Sequence, residues 1–137
     1  MAMIDDRVLV VFDGSASARR ALDAAAGLDA PLTVVSVAPR DARGARCGFH
    51  TDDLERAVRD AAKRDLERAR RLLGPRSRTA QFVVLAAGRD DELGTWAAGC
   101  GLRTALVGAR RGLLGLRRRD LRARALARAG LDVRTVR

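Results

Sequence analysis

Val8-Leu9-Val10-Val11-Phe12-Asp13-Gly14-Ser15-Ala16-Ser17 is the stretch that decides the fold class of this chain. An unbroken apolar run rich in valine reads as a short strand buried on both faces, and Asp13-Gly14-Ser15 is a turn that ends it. Ser15 or Ser17 then opens a helix whose buried face carries Ala18, Leu22, Ala25 and Ala26. A buried strand that passes at once into a helix is the first half of a βαβ unit, and such units build parallel sheets with right-handed crossovers.

Working outward, similar runs occur at residues 32–37, 81–86 and 104–107, with a short fifth at 133–136. Helical patterns separate them. Residues 51–73 carry Leu54, Val58, Ala61, Leu66, Ala69 and Leu72 at intervals of three to five, which predicts one apolar stripe. Thr51 or Asp52 caps that helix, Asp52 and Glu55 have capping-box spacing, and Gly74-Pro75 stops it. Its pairs Glu55 with Arg59, Asp60 with Arg64 and Glu67 with Arg71 describe a solvated face, each pair contributing about 0.2–0.5 kcal/mol. A shorter helix is expected over 90–98, ending at Gly99, and a last one over 116–129.

The expectation is one doubly wound α/β domain over residues 1–137, with helices on both faces of a five-stranded parallel sheet. Ligands of such sheets bind outside the carboxyl ends of the strands, where the strand order reverses. The loops at that edge are Asp13-Gly14-Ser15, Val37-Ala38-Pro39, Gly88-Arg89-Asp90 and residues 108–115. Residues 39–50 form the longest irregular stretch and hold Cys47 and His50.

Composition narrows the chemistry. With 137 residues, 47% hydrophobic and 32% charged, there is material for a single core. No apolar run reaches the roughly 18–20 residues of a membrane span, and the Asp5-Asp6-Arg7 start lacks the pattern of a signal peptide, so a cytoplasmic protein without membrane contact is expected. Cys47 and Cys100 have neither zinc-site nor redox-dithiol spacing and read as reduced thiols. With His50 the sole histidine, Ser-His-Asp catalysis and histidine-rich metal sites are hard to build, so neither catalytic residues nor metal ligands are assigned. Ser15 and Ser17 lack the nucleophile-elbow pattern and read as helix caps. Trp96 reads as core or as part of a subunit contact.

The net charge is +10, and Lys63 is the sole lysine among 27 basic residues. Residues 103–137 hold eleven arginines against Asp120 and Asp132, so the positive charge is local. On the last helix Leu121, Ala125 and Ala129 form a predicted core stripe, with Arg118, Arg119 and Arg122 outward. Such a face suits an acidic protein partner. Nucleic acid is disfavoured, because Phe12, Phe49, Phe82 and Trp96 are the only aromatics and supply no stacking platform.

Gly108-Ala109-Arg110-Arg111-Gly112-Leu113-Leu114-Gly115 lies between a predicted strand and a helix, where backbone amides can cradle phosphate. It matches neither GxxxxGK[ST] nor GxGxxG, and a plain β-to-α connection is the alternative. The whole order of segments, opening on residues 8–22 with their strand, Asp-Gly-Ser turn and helix, resembles the universal stress protein family over residues 6–136. That resemblance implies an adenine nucleotide alpha hydrolase-like sheet in the order 3-2-1-4-5. It also implies a homodimer paired through the last edge strand, although Arg134 could keep that edge unpaired, and a stress-response signalling role.

The family divides into members that bind ATP, with Mg²⁺ accompanying it, and members that bind no nucleotide. Carried over residue by residue, the resemblance places Asp13, Gly14 and Ser15 beside the nucleotide and the backbone of Val37 at adenine. Gly108 becomes the first glycine of a Gly-x2-Gly-x9-Gly-Ser/Thr phosphate segment; Arg110, Arg111, Gly112 and Arg119 lie along the same stretch and are candidates for the phosphates by their own chemistry.

The segment departs from that pattern. Arg111 stands at the second glycine, Gly112 comes one position late, and alignment from the chain end puts Arg119-Asp120 at the Gly-Ser pair. Two readings follow. In one, Arg110, Arg111 and Arg117 to Arg119 replace backbone amides with bidentate phosphate contacts, and any ATP hydrolysis is slow for want of a base. In the other, no nucleotide binds, and a homodimeric interaction module uses its arginine-rich last helix to meet an acidic partner or nucleic acid.

Overall fold

The computed structural model describes residues 7–40, 51–109 and 116–137, without the side chains of residues 51, 52 and 116–120. Strand β1 (Val8–Val11) lies in the middle of a sheet with β2 (Leu32–Pro39) on one side and β4 (Thr104–Gly108) on the other. Beyond them are β3 (Gln81–Ala87) and β5 (Asp132–Val136), giving the order β3-β2-β1-β4-β5 with all neighbours parallel. The sequence-based order and class hold. In register, Val10 stands opposite both Val34 and Leu106.

Parallel strands need crossovers, and the apolar alternation of β1 shows where they lie. Val8, Val10 and Phe12 face a core shared with helices α1 (Ala16–Ala26) and α2 (Thr51–Leu73). Leu9 faces the other core, shared with α3 (Asp90–Gly99) and α4 (Leu116–Arg128) through Leu93, Ala97 and Leu126. Leu9 and Val10 are fully buried on opposite faces, which is why β1 carries no polar residue. The edge strands differ: β5 has no fully buried residue, with Asp132, Arg134 and Thr135 exposed and Val133 and Val136 half-buried, and one flank has no partner strand among the described residues.

Two predicted stripes are corrected. On α2 the buried row is Ala62, Leu66, Ala69 and Leu73, while Leu54 is 40% and Leu72 44% exposed, and Ala61 is exposed too. The spacing of four, three and four keeps one face on the sheet, and Ala61 and Leu72 each sit one residue, about 100°, off it. At 1.5 Å per residue α2 is about 34 Å long against roughly 26 Å for β2, so its first turns, Leu54 among them, overhang the strands.

On α4 the inward residues are Arg122, Ala125 and Leu126, with Ala129 just past its end on the same side, whereas Leu121 is 52% exposed. Gly94 of α3 sets this rotation: a Cβ there would stand 2.6 Å from the Ala125 carbonyl oxygen and 3.0 Å from the Ala129 Cβ. Close contact of α3 with that face of α4 turns Arg122 inward and Leu121 out. Trp96 is half-buried against the same core.

Candidate functional site

Asp13, Gly14 and Ser15 fold into a tight turn beyond β1. The Ser15 amide donates to Asp13 Oδ1 at 3.0 Å, and Gly14 between them has φ +79°, a conformation that favours glycine. The Ser15 hydroxyl accepts from the Ala18 amide at 3.2 Å and caps α1, as its position predicts. The turn therefore fixes the Asp13 carboxylate at the mouth of the sheet's carboxyl edge.

Helix α2 brings a second carboxylate to this turn. A Cβ on Gly14 would stand 3.3 Å from Asp65 Oδ1 and 3.4 Å from a terminal nitrogen of Arg68. Burial, and next the Asp13 charge, push the Asp65 carboxyl above its ordinary range, while Arg68 and Arg64 pull it back down. No sequence motif announces this pair, since Asp65 lies mid-helix among other charges.

Gly108 is the last residue of β4 and is buried rather than open in a loop. A Cβ at this position would collide with the backbone carbonyl of Ser17, so the missing side chain lets β4 and α1 touch. Just beyond, Ala109 is pinned twice. Its carbonyl accepts from Arg20 Nη2 at 2.7 Å, and its amide donates to the Val136 carbonyl at 2.7 Å.

Two crevices open along this edge, both bounded by α4, the first reaching Ala18 of α1 as well. The first, about 20 Å³, is walled by Val11, Asp13, Val107, Gly108, Arg122 and Leu126. The second, about 80 Å³, is walled by Val37, Pro39, Gly88, Asp90, Leu93 and Arg122. The Gly88 turn beside the second is closed by Glu92, whose Oε2 accepts from the Gly88 amide and from Arg40 Nη2, each at 3.1 Å. Arg122 Nε stands 3.7 Å from Asp90 Oδ1, with side-chain exposures of 21% and 40%.

The structure thus brings Asp13 and Gly108 into one crevice and Val37 into its neighbour, while Gly14 and Ser15 shape the turn between β1 and α1. Arg110, Arg111 and Gly112 lie outside the described residues, as do Cys47 and His50. Arg119 belongs to α4, but its side chain lies outside the description, as do those of Arg117, Arg118 and Asp120. Arg122, read from the sequence as outward, is instead inward and joins the two crevices. The signal that locates it is the i, i+3, i+4, i+7 row it makes with Ala125, Leu126 and Ala129. Cys100 is free and exposed. Among the described residues no group of three or more His, Cys, Asp or Glu is placed to hold a metal ion, and no helix is long and apolar enough to cross a membrane.

No family model matches the chain, and no curated protein matches it by sequence. Solved structures do match in fold over nearly the whole length. A universal stress protein family structure from Burkholderia pseudomallei is 22% identical with a TM-score of 0.75, covering 99% of this chain and 98% of that one. The universal stress protein of Archaeoglobus fulgidus in complex with dAMP is 21% identical with a TM-score of 0.67, over 98% and 100%. A universal stress protein family structure from Arabidopsis thaliana with AMP bound is 15% identical with a TM-score of 0.57, over 96% and 90%. The fold of this chain is therefore that of the universal stress proteins.

Proposed function

We propose that this protein is a universal stress protein-type regulatory module that senses an adenine nucleotide at the carboxyl edge of its sheet. The observation that carries the reading is the convergence of Asp13, Val37 and Gly108 on two adjoining crevices at the reversal of strand order, in a fold shared with proteins solved with dAMP and AMP. In this reading Val37 and Pro39 are the apolar wall for a base, and Asp13, which lines the adjoining crevice, takes a sugar hydroxyl. Arg110, Arg111, Gly112 and Arg119 complete the phosphate end in this reading. ATP would bring Mg²⁺ held by its own phosphates and by water, since Asp13, the carboxylate of the first crevice, is taken by the sugar in this reading. The protein acts in the cytoplasm and signals by occupancy rather than turnover.

Isothermal titration with ATP and AMP, with and without Mg²⁺, tests this, together with chromatography of nucleotide released from the purified protein by denaturation. Micromolar binding or co-purified nucleotide supports the sensor. No heat at millimolar nucleotide and an empty extract overturn it.

A second reading rests on the exposed arginines Arg124 and Arg128 of α4. In it the protein is an interaction module whose last helix meets an acidic partner, with binding that weakens steeply as salt rises. Under either reading the exposed flank of β5 pairs two copies into a homodimer. Sedimentation at micromolar concentration should give twice the 14.7 kDa chain mass, and a strict monomer removes the dimer.

A further inference from the structure

The crevice beside β1 and β4 and the crevice beside β2 and β3 meet at one side chain, Arg122, on the second turn of α4. Its guanidinium offers a planar fork that matches a phosphoryl group. Here the fork is loosely held. Its ion contact among the described residues is Asp90, and 3.7 Å between Nε and Oδ1 is longer than a hydrogen bond. Asp90 opens α3, where the amides of the helix N-terminus favour a negative charge, so the carboxylate does not depend on the arginine for its stability. The walls on either side, Val11, Val107 and Leu126 in one crevice and Val37 and Leu93 in the other, are apolar and strengthen any charge pairing made between them.

We propose that Arg122 is the phosphate-reading residue of this crevice and that Asp90 is its resting partner. This rests on the nucleotide reading above and goes further in naming the side chain and the exchange it undergoes. An adenine nucleotide draws the guanidinium from the Asp90 carboxylate onto its phosphoryl oxygens, so phosphate recognition sits on α4 rather than on the Gly-Ser/Thr pair this chain lacks. Asp90 competes with the ligand for the same fork and sets the affinity.

The quantity to measure on the full chain is the ratio of AMP affinity to adenosine affinity, by titration calorimetry, with a melting curve for each variant. Loss of a charge-assisted contact in Arg122→Met should lower that ratio by about tenfold or more, and Arg122→Lys should fall between. Asp90→Asn should raise it several-fold by freeing the fork. A ratio unchanged in Arg122→Met, or AMP and adenosine affinities falling together, would show packing rather than phosphate contact and overturn the proposal while the nucleotide reading stands. A ratio that falls in Asp90→Asn overturns the competition. Wild-type protein that binds neither compound overturns the nucleotide reading as well. Where Arg122→Met does not fold, Arg122→Lys and Asp90→Asn decide the matter by the same ratio.

Discussion

Gly108 rests its α-carbon against the backbone carbonyl of Ser17, so that β4 and α1 touch with no side chain between them. A Cβ at 108 would also stand 2.8 Å from the Ser17 Cβ, and Ser17 is itself 2% exposed with no room to retreat. The glycine that a motif reading assigns to phosphate thus has a packing duty of its own.

Gly108→Ala should therefore destabilise the fold by about 1–3 kcal/mol, the usual range for overpacking. In a domain of this size that lowers the melting temperature by roughly 2–4 °C per kcal/mol. Thermal unfolding followed by circular dichroism reads this directly. A variant that melts with the wild type would place the contact outside the stability of the fold.

Asp65 gives a prediction in pH. Its carboxyl is raised in the folded state by burial and then by Asp13, against the opposing pull of Arg68 and Arg64. The folded chain therefore holds this proton more tightly than the unfolded chain does. The charged form costs stability above the raised value, and the cost disappears as pH falls through it. Asp65→Asn should melt higher than the wild type at neutral pH, with the difference shrinking on acidification. A difference that grew at low pH would give the shift the wrong sign.

The two glycines of α3 should respond in opposite ways. Gly94→Ala drives a Cβ to 2.6 Å from the Ala125 carbonyl oxygen and should cost about 1–3 kcal/mol. Gly99, with nothing within 4 Å of a Cβ and no positive φ, should accept alanine with a gain of up to about 0.5–1 kcal/mol. Urea unfolding midpoints of the two variants check both signs in one experiment.

Ser15→Ala removes the acceptor for the Ala18 amide and should cost about 1 kcal/mol, whereas Ser15→Asp keeps a cap and should cost less. Because the Ser15 amide also holds Asp13, and both variants keep that amide, any change in ligand affinity should be smaller than the change in stability. Parallel melting and titration measurements separate the two.

What the sequence determined by itself is the order and kind of the elements. The apolar run before Asp13-Gly14-Ser15, its repeats, and the helical segments between them leave little choice but a parallel sheet, because a strand without polar residues must be covered on both faces. The same local chemistry places Ser15 at a helix cap and Asp13, Val37 and Gly108 at strand ends.

Which face of each helix turns inward was decided by tertiary contact. On α2 the stripe expected through Leu54, Val58, Ala61 and Leu72 gives way to Ala62, Leu66, Ala69 and Leu73 where the helix lies over the sheet. On α4 an arginine, not a leucine, faces the crevices, since Gly94 draws that side of the helix against α3 and leaves Leu121 in solvent. Asp65 meets the Asp13 turn, and Asp90 meets Arg122, only when elements far apart in the chain come together. Periodicity records that a helix has an apolar side, but helix rotation is set by the few places where two backbones approach closely, and those belong to the folded chain.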